Sequence, residues 1–257
     1  METIKFDLSA SMAVIRKPDS NETYYTYNFP HKIMLLGLLG AIIGLNGYNY
    51  YSFQRNLGKK VEDIPEFYSK LKDLKVAIVP EINERNFSRK IQEFNNSVGY
   101  ASKEVGNNLI VREQWLERPK WTIYILENNT DEYKKIKDYL LNRKCEYIPY
   151  IGKNDHFADI KNVEIKEVKS LNTNPSKIDS LYEEKIAEKK DDLFEKMLGF
   201  ENEENKKYFL YKELLPIELN EKIGYSKFLN FVYTNEQLEV KDNSNIYEVD
   251  SKNIYYF

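Results

Sequence analysis

Two histidines, His31 and His156, are the residues of this sequence best suited to acid–base chemistry near neutral pH. Asp155 directly precedes His156, and a neighbouring carboxylate can orient an imidazole that acts as a general base. A histidine beside an aspartate on a protein surface is, however, usually an incidental pair. A ribonuclease that needs no metal could also combine His, Tyr and Lys without a recognisable motif. Catalysis therefore stays an open alternative to a purely binding role.

Recognisable catalytic and cofactor motifs are missing from the sequence. It contains no HExxH, no Gly-x-Ser-x-Gly, no P-loop and no glycine fingerprint for a dinucleotide. The segment GLLGAIIG, residues 37–44, resembles a glycine-rich nucleotide loop, but it lies inside a predicted helix rather than in the turn before one. The single cysteine, Cys145, excludes an internal disulfide and a cysteine-rich metal site. We expect no cofactor and no bound metal.

The distribution of charge limits the kinds of partner. The net charge is −3, whereas a protein that binds nucleic acid by itself is usually basic. Residues 1–127 carry 17 Lys and Arg against 15 Asp and Glu, and residues 128–257 carry 21 against 26. A site for a polyanion is therefore expected in the first half of the chain.

The longest apolar stretch, Ile33 to Leu45, has 13 residues, which is too short for a bilayer span of about 20 residues. We expect a buried helix there, and no membrane partner. Charged residues precede this stretch, so no signal peptide is predicted at the start of the sequence. Together with the single cysteine, these features favour a cytoplasmic protein.

Hydrophobic periodicity predicts the elements that must position any site. Strands are expected at residues 3–8, 74–80, 121–126, 147–151 and 163–168, and helices at residues 31–45 and about 130–143. Pro30 is expected at the first position of the first helix. Gly37, Gly40 and Gly44 share one face of that helix, which would let a sheet or another chain approach its backbone closely. Residues 46–73 are expected to be mixed and rich in turns.

The order of these elements predicts an α+β fold of the ferredoxin-like or split βαβ kind, βαββαβ, which the RRM class of RNA-binding domains shares. Residues 81–110 interrupt the pattern as a long polar insertion, and such insertions are often functional. We expect a domain over residues 1–170 and a smaller C-terminal part over residues 171–257. That part is expected to hold a charged helical segment at residues 177–210, followed by short strands.

Four segments in a fixed order give the sequence a family resemblance. They are FDLSASMAVIRKP from Phe6, YTYNFPHKIMLLGLLGAIIGL from Tyr25, VREQWLERPKWTIYI from Val111 and YIPYIGKNDHFADI from Tyr147. In order and spacing, over roughly residues 4–165, they resemble the Cas-five family of CRISPR-associated proteins, in its type I-B branch. The resemblance implies a modified RRM fold with a β-hairpin thumb at about residues 81–110. It also implies a non-catalytic subunit of a Cascade complex that caps the 5′ handle of the crRNA.

The partners implied by the resemblance are the crRNA, a Cas-seven-type backbone subunit and a Cas-eight-type large subunit, with target DNA contacted indirectly. Single-stranded RNA is held by basic side chains on phosphates, aromatic rings under bases and backbone amides in turns. The residues expected to contact RNA are Arg16, Lys17, Tyr25, Tyr27, His31, Lys32, Arg85, Arg89, Lys90, Phe94, Arg112, Trp115, Gly152, Lys153 and Asn154. For each region an ordinary solvated turn, a loop or core packing stays an open alternative.

Two other functions compete with this interpretation. One branch of the family, in type I-C systems, processes precursor crRNA with a histidine-containing site, so a metal-independent endoribonuclease is the main alternative. Residues 111–121 contain no histidine, which disfavours cleavage. The third possibility is a protein-only scaffold in which the insertion at residues 81–110 docks another subunit.

Overall fold

The computed structural model describes residues 1–20, 22–61, 64–82, 87–95, 103, 110–190, 208–220 and 224–257. In the first part of the chain the strands are β1 (Glu2–Ser9), β2 (Met12–Ala13), β3 (Thr23–Tyr24), β4 (Val76–Pro80), β5 (Ser88–Asn95), β6 (Ile110–Glu117), β7 (Lys120–Leu126), β8 (Asp159–Glu167) and β9 (Lys169–Ser170). The helices are α1 (Lys32–Ile43), α2 (Tyr48–Asn56), α3 (Glu66–Leu71) and α4 (Asp131–Leu141). Strands β10 (Tyr182–Glu183), β11 (Ala187–Lys189), β12 (Leu210–Asn220), β13 (Gly224–Thr234), β14 (Leu238–Val240), β15 (Ile246–Val249) and β16 (Lys252–Tyr255) follow.

The central sheet has the strand order β4-β7-β1-β8, and each pair of neighbours is antiparallel. Ile4, Phe6 and Leu8 alternate with polar residues along β1 and are fully buried, as the sequence predicts. They belong to one apolar core with α1 and α4. The architecture is α+β and is consistent with an RRM-like fold.

The other face of this sheet is covered by the end of the chain. Tyr124 points away from the helices and packs in a second cluster with Val249, Ile254 and Tyr256. The Tyr256 hydroxyl donates a hydrogen bond to Thr3 Oγ1 at 3.1 Å. Bases therefore have no open sheet face at this position on which to stack.

Helix α1 is buried nearly all round, which explains its almost wholly apolar sequence. His31 is the N-cap and accepts a hydrogen bond from the Met34 amide through Nδ1, so Pro30 lies before the cap and the prediction that it begins the helix was wrong. The glycine face receives α3: a Cβ on Gly40 would lie 2.5 Å from the Cβ of Phe67. The close neighbour is thus a helix of the same chain.

The insertion forms a hairpin, in which β5 and β6 pair in antiparallel register from Ser88–Glu117 to Asn95–Ile110. Of its connecting residues 96–109, only Lys103 lies within the described part of the chain. On the other side of β6, β2 pairs antiparallel and β3 pairs parallel. The chain therefore forms a β-hairpin here, with strands that extend to Glu117, beyond the predicted bounds of residues 81–110.

Three local predictions were wrong. Residues 147–151 form no strand but a loop closed by an isolated bridge between Tyr150 and Phe157. Residues 46–73 contain the helices α2 and α3. The described part of the expected helical segment, residues 177–190, consists of β10, a 3-10 turn (Glu184–Ile186) and β11, because pairing with β13 and β14 outweighs local helix propensity. Residues 191–207 lie outside the described residues.

The C-terminal strands are built into the same core as the N-terminal part. Strands β12 and β13 form a long hairpin, and residues Leu215 and Phe231 belong to the cluster that also holds α1. Among the described helices, no single one is long and apolar enough to cross a membrane. Only α1 and α2 taken together, as a bent pair, reach the length and apolar composition that such a span needs.

Candidate nucleic-acid interface

The β5–β6 hairpin presents two faces, since residues directly opposite one another in an antiparallel pair point the same way. On one face, Lys90 lies opposite Trp115 and Phe94 lies opposite Val111. On the other face, Arg89 lies opposite Leu116. We call the first of these the Trp115 face.

The Trp115 face meets the turn at residues 151–156, which is distant in sequence. The Lys153 ammonium lies 2.9 Å from Glu113 Oε2, 4.8 Å from the centre of the Phe94 ring and 5.5 Å from that of Trp115. Lys90 approaches the same indole at 5.3 Å. Four residues predicted to bind RNA, from segments about 40 positions apart, thus form one cluster of cations and aromatic rings.

Glu113 organises this cluster. Its carboxylate is buried and accepts hydrogen bonds from both Trp115 Nε1 at 2.8 Å and Lys153 Nζ at 2.9 Å. A buried carboxylate needs such partners to offset its desolvation. Lys153 is therefore already neutralised within the fold, and a phosphate would have to compete with Glu113 for it.

His156 lies beneath the cluster and is only 3% exposed. Its ring meets Trp115 edge-on, with centroids 4.7 Å apart, and neither ring nitrogen has a hydrogen-bond partner among the described residues. Desolvation lowers the pKa of His156, so the neutral form is favoured. Asp155 is exposed and makes no hydrogen bond to this ring in the described structure, so the two residues do not form the base–orienter pair that the sequence left open as an alternative.

Gly152 fixes the position of the turn. Its φ is +85°, and a Cβ there would lie 1.5 Å from the carbonyl oxygen of Val14. The Val14 amide donates a hydrogen bond to the Ile151 carbonyl at 3.3 Å in the same contact. The expected close backbone approach at this glycine exists, but the approaching backbone is that of the chain itself.

The segment 16–28 runs beside β6 and brings further basic and aromatic groups to the hairpin. The Arg16 guanidinium lies 3.6 Å from the centre of the Tyr24 ring, and Tyr25 is 46% exposed. Arg89 donates a hydrogen bond to Asn28 Oδ1. Arg112 is exposed and forms a 2.8 Å ion pair with Glu93. The hydrogen bond to Glu93 raises the pKa of Arg112, and because the pair is exposed, its positive charge is only partly screened.

Other predicted residues have structural positions instead. Lys17 pairs at 2.9 Å with the buried carboxylate of Glu213, which also accepts hydrogen bonds from the amides of Asn28 and Phe29. Tyr27 and His31 are 3% and 2% exposed, so both side chains pack in the core, which was the alternative to RNA contact for this region.

Asn154 is exposed in the turn beside Lys153. Two further predicted residues lie away from the hairpin or outside the described structure. Lys32 lines a cleft formed with α3 and the β12–β13 hairpin. Arg85 falls outside the described residues.

Both histidines are poorly suited to proton transfer at this surface. Burial lowers the pKa of His31 to about 3, because the charged imidazolium would lose its hydration. Its Nδ1 is committed to capping α1, and its Nε2 lies 3.4 Å from the Tyr225 hydroxyl. Within the described residues, no group of three or more His, Cys, Asp or Glu side chains could hold a metal ion.

Sequence reasoning missed Glu113, Val14 and Tyr24. The alternation of Val111, Glu113 and Trp115 along β6 was a signal that Glu113 shares the inner face. Nothing in the sequence indicated that Val14 would meet Gly152, since 138 positions separate the two residues.

The sequence matches no protein-family model and no curated protein. The fold is similar to that of a chain from a "CRISPR RNA-guided surveillance complex", with a TM-score of 0.50 and 14% sequence identity over 93% of this chain and 91% of that one. A CRISPR protein from Archaeoglobus fulgidus gives a TM-score of 0.47 at 12% identity, covering 99% of this chain and 98% of the other. At such low identity these likenesses concern the fold alone.

Proposed function

We propose that this chain is a crRNA-binding subunit of a CRISPR surveillance complex, of the Cas-five kind, which holds the 5′ handle of the guide RNA. The observation that carries the proposal is the joining of the β5–β6 hairpin and the Gly152–Asn154 turn into one surface of cations and aromatic rings. The likeness in fold to a chain of an RNA-guided complex supports the same proposal.

The strand order supports the finer classification. In chain order the four core strands are β1, β4, β7 and β8, and their sheet order β4-β7-β1-β8 supports a ferredoxin-like βαββαβ arrangement. The hairpin is inserted before β7, the third core strand. We propose that the fold is a modified RRM with a thumb. From the family resemblance of the sequence we also propose a Cas-seven-type backbone subunit and a Cas-eight-type large subunit as partners. The boundary near residue 170 stays a prediction.

RNA would be held mainly by exposed groups next to the Trp115 face: Arg89 and Arg112 lie on the opposite face of the hairpin, and Arg16 and Tyr25 lie on the neighbouring segment. Arg16, Arg89 and Arg112 offer guanidinium groups that match phosphate geometry, and Tyr25 offers an exposed ring. Lys90 lies against Trp115, so it would bind a phosphate while staying over the aromatic ring, whereas Lys153 would bind one only in competition with Glu113. The net charge of −3 fits a subunit that binds RNA together with its neighbours.

A binding role without catalysis fits the environment of the histidines. Both side chains are buried, and both have lowered pKa values. A cleaving histidine would need access to the 2′-hydroxyl of the RNA and a hydrogen-bonding partner. We propose that a separate enzyme processes the precursor.

The first test is purification of the tagged chain from its host, with sequencing of the RNA that accompanies it. Guide-length RNAs that share one 5′ repeat tag, together with more abundant partner proteins, are the expected result. A monomer free of RNA would overturn the proposal. Cleavage of repeat RNA by the isolated chain, lost on His156→Ala, would favour the endoribonuclease instead.

The second test compares Arg112→Gln with Lys134→Gln, which changes an exposed lysine on α4. In the assembled complex, the logarithm of the RNA affinity falls linearly with the logarithm of the salt concentration, and loss of one phosphate contact makes this fall shallower by about 0.7. Arg112→Gln should show this reduction and Lys134→Gln should not. Equal slopes for both variants and the parent would remove Arg112 from the RNA surface.

A further inference from the structure

A cleft of about 540 Å³ lies on the side of α1 that faces α3 and the β12–β13 hairpin. Apolar side chains of the hairpin and of the last strand form much of its wall, including Ile217, Leu229 and Phe231. Its size falls within the range typical of small-ligand sites, about 300–1,000 Å³. Of the residues that the sequence predicted to contact RNA and that the structure describes, Lys32 alone lines it.

Lys32 is the polar group that most needs a partner in this cleft. It is half-buried, and among the residues that the structure describes its ammonium group has neither a salt bridge nor a hydrogen bond. Desolvation lowers the pKa of Lys32, and the charge of Lys75 adds to this, while the charges of Asp73 and Glu218 counter the shift without cancelling it. A cation removed from water without a counter-charge carries a cost that a bound anion would offset.

Tyr68 provides a second donor on the same wall. The side chain is only 6% exposed, and its hydroxyl accepts a 3.0 Å hydrogen bond from the Leu219 amide. The hydroxyl proton has no acceptor among the described residues, so one donor remains available at a buried position. Among the other ions that line the cleft, Lys227 pairs with Glu218 at 2.9 Å and Glu183 pairs with Lys185 at 2.8 Å, whereas Lys72 and Asp73 add one charge of each sign.

We propose that this cleft binds a carboxylate carried on an apolar body, with the carboxylate held by Lys32 and Tyr68 and the apolar part against Leu229 and Phe231. Two available donors select an anion, and the apolar wall selects a ligand that is otherwise hydrophobic. A free aromatic acid and the apolar C-terminal residue of a partner protein share this chemistry. The site is separate from the RNA surface, and its test does not depend on the proposed function.

The test uses the full chain and three probes, observed by shifts in its amide NMR spectrum. N-acetyl-L-phenylalanine mimics a peptide C-terminus, 3-phenylpropionate is a free acid, and N-acetyl-L-phenylalaninamide is the neutral control. We expect at least one acid to bind at millimolar or lower concentration and to shift amides around Lys32 and Leu219, and the amide to bind at least about tenfold more weakly. Binding by the first acid alone assigns the cleft to a peptide terminus, and binding by both acids shows that a free acid suffices.

Matched variants separate the charge from general packing. Lys32→Gln should weaken binding of the acids about tenfold while leaving the amide unchanged, and Lys134→Gln on the opposite helix should change neither. Tyr68→Phe should give a smaller loss, and it provides a second variant if Lys32→Gln lowers the melting temperature. Equal binding of acids and amide, or no binding by either acid, would overturn the proposal.

Discussion

Substitution of Gly152 by alanine tests how the candidate RNA surface is held together. A methyl group at this position would lie 1.5 Å from the Val14 carbonyl oxygen, a distance that no backbone tolerates, and φ is +85°. The left-handed conformation alone costs an alanine about 1–2 kcal/mol. Relief of the clash breaks the hydrogen bond between the Val14 amide and the Ile151 carbonyl, about 1 kcal/mol, and adds about 1–3 kcal/mol of overpacking.

The expected loss is therefore about 3–6 kcal/mol in the free energy of unfolding, measured by urea denaturation with circular dichroism. Two other glycines provide matched controls. Gly58→Ala changes a residue with φ +72° and nothing within 4 Å, so it should cost only the conformational part, about 1–2 kcal/mol. Gly47→Ala, with neither feature, should stay within about 0.5 kcal/mol of the parent.

The order of the three variants is the decisive result. If Gly152→Ala and Gly58→Ala lose the same stability, the contact with Val14 contributes nothing, and the rigid attachment of the 151–156 turn is refuted. If Gly152→Ala is the most damaging, the same variant should also weaken RNA binding, because the turn carries Lys153 and Asn154.

Three further predictions concern the core. Gly40→Ala should cost about 1–3 kcal/mol because its methyl group would lie 2.5 Å from Phe67 Cβ, whereas Gly37→Ala, with its nearest contact at 3.8 Å, should be neutral or stabilising by up to about 1 kcal/mol in urea melts. Glu213→Gln should lower the free energy of unfolding by about 3 kcal/mol, since it leaves a half-buried lysine partner and two backbone amides poorly paired, and an unchanged urea midpoint would contradict this. The pKa of His31 is about 3 in the folded state and about 6.5 in the unfolded chain, so the unfolded chain takes up a proton first as the pH drops. The free energy of unfolding should therefore fall between these two pKa values, by up to about 1.4 kcal/mol per pH unit. The variant His31→Asn keeps a helix cap without this proton, so its stability should fall less between pH 6.5 and 5, and an equal fall would contradict the assignment.

The sequence by itself determined the elements with a strong hydrophobic pattern. The alternation of Ile4, Phe6 and Leu8 predicted β1, because a period of two residues reflects a single buried face. The length of the apolar run after Pro30 predicted α1 as a helix buried nearly all round. The order of these elements also predicted an α+β architecture with an insertion, and the family resemblance added the hairpin. The prediction of secondary structure was wrong for short segments such as residues 177–190, because their strands pair with residues more than 40 positions away.

Only the tertiary structure decided which predicted site residues share a surface. Lys17, Tyr27 and His31 have the side chains of RNA-binding residues, yet buried contacts use all three of them. Lys90, Trp115 and Lys153, by contrast, meet because the hairpin folds back against the turn. Residue type determines what a side chain can bind, but burial and long-range packing determine whether it remains available, and neither can be read from local sequence.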